Sequence, residues 1–506
     1  MITILGLGPG DANQLTREAW DVLTQAKTIY LRTRKHPTVA GLPQHLTLKD
    51  FDAAYDANAS FEKVYDHIVS TLIQAAKKHD VIYAVPGHPL VGEKTVPMLL
   101  ARAKQLKIET RIVSGLSFIE PVLENLANSQ LPMDPINGLQ LCDALDLAAL
   151  HHPPLNPDQP ALIAQVYSRA VASDVKLTLM NQYPPLHGVF VVRGEARKGE
   201  GEKGRKGNSL SPLPPFSPSP LLPISLHELD HTDHFDHLTS LYVPALPRAS
   251  SLEALQETMA HLRAPEGCPW DQEQTHQSLR NTLLEEAYEV LTAIDEGDMQ
   301  ALKEELGDLL FNIVFQVQMA TEAEVFRMTD VIGEVNAKLI RRHPHVFGEL
   351  NTTDQRQISA NWETIKKQEH KAKGQERKSV LDGIPPALPA LAQAQKMAHK
   401  AEKAGFKYDN NAQRMAKVRE ELDEIMAATD QINLQEEFGD LFFSLADLAD
   451  GFGIDAEAAA REANLKFANR FRALEQLLKH RKQAMNKLTG DELQAAWQQV
   501  KKEIED

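Results

Sequence analysis

Cysteine is nearly absent: Cys142 and Cys268 are the only two among 506 residues. Two thiols so far apart make neither a disulfide framework nor a zinc site. They suit a reducing compartment, so a cytoplasmic location is expected. Long apolar runs are also missing, and none nears the roughly 18 residues that a membrane-spanning helix needs. No membrane partner is expected. Basic residues are in deficit, with 54 Lys+Arg against 70 Asp+Glu and a formal charge of −16. Such a field repels phosphate backbones and disfavours a dedicated DNA or RNA binder. The first residues, MITILGLGPGD, lack a basic n-region and a small-residue cleavage site, so no signal peptide is expected. What is present is ordinary: the chain is 42% hydrophobic and 25% charged, enough for several cores. At about 150 residues per domain, some three domains are expected.

Residues 195–223 run EARKGEGEKGRKGNSLSPLPPFSPSPLLP. Neither the Gly/Lys/Arg block nor the Ser/Pro block can bury apolar surface, so the stretch reads as a disordered loop. Before it, β-rich runs alternate with helical ones. ITILGLG (2–8), TIYLRT (28–33), DVIYAVPG (80–87) and ETRIVSG (109–115) each stop at a turn signal. Helical patterns cover Thr16 to Ala26, with Thr16 as a cap, and Glu62 to Lys78. Alternation of this kind predicts an α/β domain with a mainly parallel sheet over the first 190 or so residues. After about residue 248 the strand-like runs vanish and Ala, Leu, Glu, Lys and Gln take over at helical spacing. That half is all α, divided near LDGIPPALPALAQAQ.

The helical half repeats itself. LLEEAYEVLTAIDEGDMQALKEELGDLLFNIVF (283–315) aligns with VREELDEIMAATDQINLQEEFGDLFFSLAD (418–447), the second copy having the shorter loop. Glu285-Glu286-x-x-Glu289 matches Glu420-Glu421-x-x-Glu424, and Glu305-x-x-Asp308 matches Glu437-x-x-Asp440. Further on, Asn336, Lys338 and Arg342 match Asn464, Lys466 and Arg470.

Residues three or four apart share a helix face. Glu286 and Glu289 therefore project together, as do Glu305 and Asp308 from the next helix. If these helices pack antiparallel, four carboxylates converge, which only cations make tolerable. An all-oxygen set suits Mg²⁺ or Mn²⁺, with waters and phosphates completing the shell. Lys338 and Arg342, four apart, are placed to grip the rest of a polyphosphate. Glu-rich helices can merely present a solvated face, but such a face has no reason to keep one constellation in register twice. A di-iron bundle requires Glu-x-x-His, and no His follows these acids.

EExxE followed by ExxD resembles the signature of the all-α nucleoside triphosphate pyrophosphohydrolases, in the MazG version. GCPWDQEQTHQSL (267–279), KLIRRHPHVFG (338–348), WETIKKQE (362–369) and KAGFKYD (403–409) extend the likeness over 250–506. The resemblance implies two MazG domains, 248–375 and 380–506. It also implies Mg²⁺-dependent hydrolysis of NTPs or dNTPs to monophosphate and pyrophosphate. By motif the metal ligands would be Glu286, Glu289, Glu305 and Asp308, and in the second copy Glu421, Glu424, Glu437 and Asp440. Glu285 or Glu420 would accept or orient the proton of the attacking water. Lys466 and Arg470, with Lys338 and Arg342, would stabilise the leaving pyrophosphate. Asn336 and Asn464 would add a polar contact to metal or sugar. Trp270 is either a base-stacking ring or a core indole. A homo-oligomer, a dimer, follows from the resemblance.

GLGPGD (6–11) lacks the third glycine of a dinucleotide loop. With VIYAVPGHPLVGEKTV (81–96), RIVSGLSFIEPVL (111–123) and INGLQLCDALDL (136–147), it resembles the S-adenosylmethionine-dependent tetrapyrrole methylase superfamily, covering about 1–245 with the insert excepted. By motif the cofactor would sit near Pro9, Gly87, His88, Val91, Ser117 and Phe118. The chain departs from the pattern at Gly87-His88-Pro89, where many members read Gly-Asp-Pro, which bears on cofactor affinity and methyl transfer. The alternative reading makes methyl transfer the main activity and the helical half a regulatory nucleotide binder.

Overall fold

Ile2–Gly6 (β1) is buried along its whole length, with Thr3 its one polar side chain. A strand buried on both faces needs helices above and below, and crossovers supply them. In this computed structural model, which describes residues 1–57, 61–128, 138–193, 221–236, 238–372, 374 and 379–505, β1 is an interior strand of an all-parallel sheet. Its other strands are Thr28–Leu31 (β2), Thr47–Asp50 (β3), Val81–Val85 (β4) and Thr110–Val113 (β5), in the order β3-β2-β4-β1-β5. The helices between them are Arg17–Gln25 (α1), Asp52–Ala57 (α2), Phe61–Ala76 (α3) and Thr95–Gln105 (α4). Thr16 Oγ1 accepts from the Ala19 amide and caps α1, as its sequence predicts.

Strand alternation sorts the core into two faces. Ile2, Ile4, Val81, Tyr83 and Val85 pack under α3 and α4 with Val64, Ile68, Leu72, Val96 and Leu99. Leu5, Leu7, Ile29, Leu31 and Ala84 pack under α1 with Ala19 and Leu23. Neighbouring strands β1 and β4 thus send their following helices to opposite faces. Such a topological switch leaves a crevice beyond the strands' carboxyl ends.

Ile119–Asn128 (α5) leads to a second sheet, where the structure departs from the single parallel sheet expected. Its strands are Gln140–Asp143 (β6), Ala161–Ala164 (β7), Gly188–Arg193 (β8), Leu221–Ser225 (β9) and Thr239–Val243 (β10), in the order β6-β7-β10-β8-β9. Only β6 and β7 pair in parallel; β10 pairs antiparallel with both β7 and β8, and β8 antiparallel with β9. Ala144–Ala148 (α6) and Arg169–Leu179 (α7) cover one face, and Val122 and Leu126 of α5 cover the other. Residues 221–223, expected in the irregular insert, belong to β9, because Leu221 and Leu222 find ladder partners in Val192 and Val191. The rest of that insert lies outside the described residues.

The helical half begins with Leu252–Arg263 (α8), Pro269–Glu273 (α9), Arg280–Glu296 (α10) and Met299–Glu322 (α11). Gly297, at φ 69°, ends α10 in the left-handed region, and Asp298 caps α11 through the Gln300 and Ala301 amides. This two-residue joint folds α10 back on α11. The chain divides into two compact units, Met1–Asp330 and Val331–Asp506. The division falls inside Met328–Arg342 (α12).

The second unit continues with Pro344–Phe347 (α13), Gln355–Ala372 (α14), Ala390–Lys403 (α15), Asn411–Ala427 (α16), Gln431–Gly451 (α17), Ala456–His480 (α18) and Gly490–Glu505 (α19). Asn410, Asp430 and Asp455 cap α16, α17 and α18. α16 and α17 form the second hairpin, with α15 and α18 against α17.

Candidate functional site

Each hairpin brings together three of the four acids expected to converge. From α10 and α11, Glu286, Glu289 and Glu305 each bring a carboxylate oxygen within 4.8 Å of the others. From α16 and α17, Glu421, Glu424 and Glu437 do the same. Asp308 is outside that three-oxygen group, though close enough to act on the charges of Glu286 and Glu305. Asp440, one turn beyond Glu437, is exposed and is not part of the three-oxygen group. Glu285 and Glu420 are exposed on the same helices, next to their clusters.

Crowding leaves its mark on the carboxyls. Burial, then the charges of Glu289, Asp308 and Glu305, pushes Glu286 above the ordinary glutamate value. Glu305 rises for the same reasons, burial first and then Glu289 and Asp308. Glu424 rises through its hydrogen bond with Glu421, with burial next. Carboxyl groups crowded against one another behave in this way.

The copies differ in their surroundings. Lys417 Nζ lies 2.8 Å from Glu420 Oε1 and 2.9 Å from Glu421 Oε1. Asn433 Nδ2 donates to Glu437 at 2.9 Å, and Ser444 Oγ lies 3.5 Å from Glu421. Deeper in, buried Arg414 pairs with Asp447 and Glu402 at 3.2 and 3.0 Å. The aligned pair in the first copy, Leu279 and Phe315, is packed core. Beside the second cluster lies a cavity lined by Phe406, Tyr408, Lys417, Phe443, Ser444 and Asp447. None of these cations was singled out in sequence, although aligning Lys417 with Thr282 and Arg414 with Leu279 exposes them.

The remaining predicted residues fall as follows. Lys338 and Asn336 are exposed on α12, whereas Arg342 is engaged by Glu369 at 2.5 Å and lies over the Trp362 ring at 4.9 Å. Lys466 and Asn464 are exposed on α18, and Arg470 is half-buried there. Trp270 is 60% exposed, which excludes the core-indole alternative.

In the first unit, the loops after β1, β4 and β5 converge at the switch-point crevice. Gly8 and Gly87 bridge them: the Gly87 amide donates to the Gly8 carbonyl at 2.8 Å. A Cβ on Gly6 would stand 2.5 Å from the Gly87 carbonyl oxygen and 2.7 Å from the Gly115 nitrogen, so glycine is required there. Pro9, Gly87 and His88 sit at this junction, and His88 Nδ1 accepts from the Leu90 amide. Ser117 is buried, its amide and hydroxyl donating to Glu120 at 2.8 and 2.5 Å. Phe118 Cε1 is the nearest atom to the space above Gly92, one residue past Val91.

Two supports were missed in sequence. Gln165, beyond β7, adopts φ 65° and donates through Nε2 to the Gly92 carbonyl at 2.9 Å, tying the second sheet to the crevice loop. Half-buried Arg32 pairs with buried Glu93, whose other oxygen accepts from the Thr95 amide and hydroxyl at 3.0 and 2.7 Å. Burial opposes the Arg32 charge, but Glu93, Tyr55 and Tyr83 hold it protonated beyond its ordinary range. An i→i+61 ion pair leaves no local pattern.

Comparison with known proteins divides the chain likewise. Residues 1–194 match the family of tetrapyrrole (corrin/porphyrin) methylases, 274–347 the MazG nucleotide pyrophosphohydrolase domain, and 392–466 phosphoribosyl-ATP pyrophosphohydrolase. "Uncharacterized protein YabN" of Bacillus subtilis (strain 168) is 36% identical over 514 residues, covering 99% of this chain and 98% of that protein. "Nucleoside triphosphate pyrophosphohydrolase/pyrophosphatase MazG" of Thermotoga maritima is 42% identical over 249 residues, covering 49% of this chain and 95% of that protein. "Nucleoside triphosphate pyrophosphohydrolase" of Escherichia coli (strain K12) is 42% identical over 260 residues, covering 50% and 98%. A solved uroporphyrin-III C-methyltransferase from Thermus thermophilus aligns with 48% of this chain and 94% of that one, at 16% identity and TM-score 0.34. With 36% identity to YabN along nearly the whole of both chains, and one acidic hairpin in each of the two pyrophosphohydrolase matches, the chain belongs to the YabN-type family, which joins a tetrapyrrole methylase-like domain to a MazG-type pyrophosphohydrolase region.

Proposed function

We propose that the helical half hydrolyses nucleoside triphosphates, ribo or deoxy, to the monophosphate and pyrophosphate, with Mg²⁺ (Mn²⁺ in its place) as the metal. The observation that carries this reading is the three-glutamate cluster repeated at the same place in both hairpins. The donor set fits: hard carboxylate oxygens from facing helix turns suit a small divalent ion and leave positions for phosphate. When bound, such an ion draws charge from phosphoryl oxygens and lowers the pKa of a coordinated water.

Glu286, Glu289, Glu305 and Asp308 would hold ions in the first copy, and Glu421, Glu424, Glu437 and Asp440 in the second. Glu285 and Glu420, each one residue from a proposed ligand, would orient the attacking water and take its proton. Lys466 and Arg470 from α18, and Lys338 and Arg342 from α12, supply charge for the leaving pyrophosphate. Arg342 does so only by sharing itself with Glu369. The cavity beside the second cluster favours that copy for turnover. The names of the Thermotoga and Escherichia relatives agree with the reaction. Pyrophosphate release from a panel of NTPs and dNTPs, with and without Mg²⁺, tests the proposal; intact nucleotides in magnesium buffer would refute it.

The crevice of the first unit is read as an S-adenosylmethionine site formed by Pro9, Gly87, His88, Val91, Ser117 and Phe118. Its support is the switch-point geometry and the methylase family match. Isothermal titration checks it, and no heat at millimolar cofactor would count against binding. The domain limits we infer are 1–245, 248–375 and 380–506. Leu284, Leu306 and Leu310 are 50%, 49% and 43% exposed, which supports a homo-oligomer, a dimer, rather than a lone chain. Among the described residues no helix is long and apolar enough to cross a membrane. A cytoplasmic protein without a nucleic-acid partner fits the reducing composition and acidic charge.

A further inference from the structure

The internal repeat allows one acidic cluster to be judged against the other. In the second, an ammonium is already in place: Lys417 Nζ contacts Glu420 and Glu421 at 2.8 and 2.9 Å. Asn433 donates to Glu437 and Ser444 approaches Glu421, which is only 3% exposed. The aligned positions in the first copy are Thr282, Ala301 and Asn312. Asn312 turns its amide to the Asp308 carbonyl, and Lys303 of α11 turns to Gln300. Among the described residues of the first unit, no cation pairs with Glu286, Glu289 or Glu305. Three like charges there are balanced by nothing the cluster's own hairpin provides.

We infer that the two clusters are unequal divalent-ion sites, with Lys417 acting as a resident counter-cation that makes the second bind its ion more weakly than the first. An ion arriving at Glu421 must displace the ammonium and break the Asn433 hydrogen bond to Glu437, whereas one arriving at Glu286 and Glu305 relieves repulsion and displaces only water. A unit charge a few ångströms from a divalent ion, at solvent dielectric, changes its affinity by about tenfold. The first cluster is therefore filled at low free metal, and the second only when metal is plentiful. This rests on the metal-site reading above and assigns the two copies different metal thresholds.

The test is Mn²⁺ binding to the full chain without nucleotide, read as free Mn²⁺ by electron paramagnetic resonance. Two classes of site are expected, the tighter lost in Glu289→Gln and the weaker lost in Glu424→Gln. Lys417→Thr, which installs the first copy's residue, should tighten the weaker class about tenfold and leave the tighter one unmoved. Lys417→Arg should preserve the difference. Thr282→Lys, on the opposite copy, should weaken the tighter class and serves as an independent arm. A single class for both clusters, or a weaker class indifferent to Lys417→Thr, overturns the inference while leaving the metal sites standing. No Mn²⁺ bound at all by the unaltered chain overturns the metal-site reading and this inference with it.

Discussion

Glu286 and Glu421 are the same residue in two copies, yet one is crowded by acids and the other is held by Lys417. If the second copy carries turnover, Glu421→Ala with Asp440→Ala removes most pyrophosphate release. Unchanged turnover assigns catalysis to the first copy. Glu369 carries a pH signature. Its hydrogen bonds to Arg342 and then Arg341 hold it down at about 2, below the ordinary 4.5. A carboxyl lowered in the folded state stabilises fully above its unfolded pKa, and that contribution is lost as pH falls from about 4.5 toward 2. The thermal midpoint of Glu369→Gln should therefore converge with that of the unaltered chain across this window and lie below it at pH 7. Half-exposure of Arg341 and solvent screening keep the gap small. Parallel profiles would contradict the assignment.

At the scale of elements, the second hairpin replaces an apolar pair with an ionic one. Arg414 and Asp447 stand where Leu279 and Phe315 pack. Asp447→Ala leaves buried Arg414 with Glu402 as its remaining carboxylate, so it should cost about 2 kcal/mol, less than the roughly 3–5 kcal/mol of a fully stranded charge, read by urea unfolding. Arg414→Leu with Asp447→Phe should recover much of that loss, since an apolar pair of similar volume avoids desolvation. A double variant as unstable as the single one would show that the pair's polarity is needed by its surroundings. In the crevice, Gly6→Ala should abolish S-adenosylmethionine binding by forcing the β1 and β4 loops apart.

Much of this was legible in sequence because it is local. Thr16 caps α1, Glu286 and Glu289 share a face of α10, and each β-rich run of the first sheet became a strand. The second sheet was not, because β8, β9 and β10 pair across the insert, and Leu221 becomes strand only through Val192. Lys417, Arg414 and Gln165 escaped notice for the same reason. Their partners lie on other elements or, for Lys417, matter only through comparison with Thr282.

For the whole molecule, each compact unit carries an acidic hairpin, and the crevice lies in the first unit. Helices as open as α10 and α11, with Leu284 and Leu306 half exposed, are expected to be covered by a second copy. Sedimentation should find a dimer, and a monomer at micromolar concentration would contradict that expectation. The most direct test of the central claim, that paired helices gather carboxylates to hold divalent ions against a triphosphate, is phosphorus magnetic resonance of a dNTP incubated with the chain and Mg²⁺. The account predicts that monophosphate and pyrophosphate signals grow together and that chelation stops both. Orthophosphate with diphosphate, or a triphosphate spectrum that never changes, would contradict it.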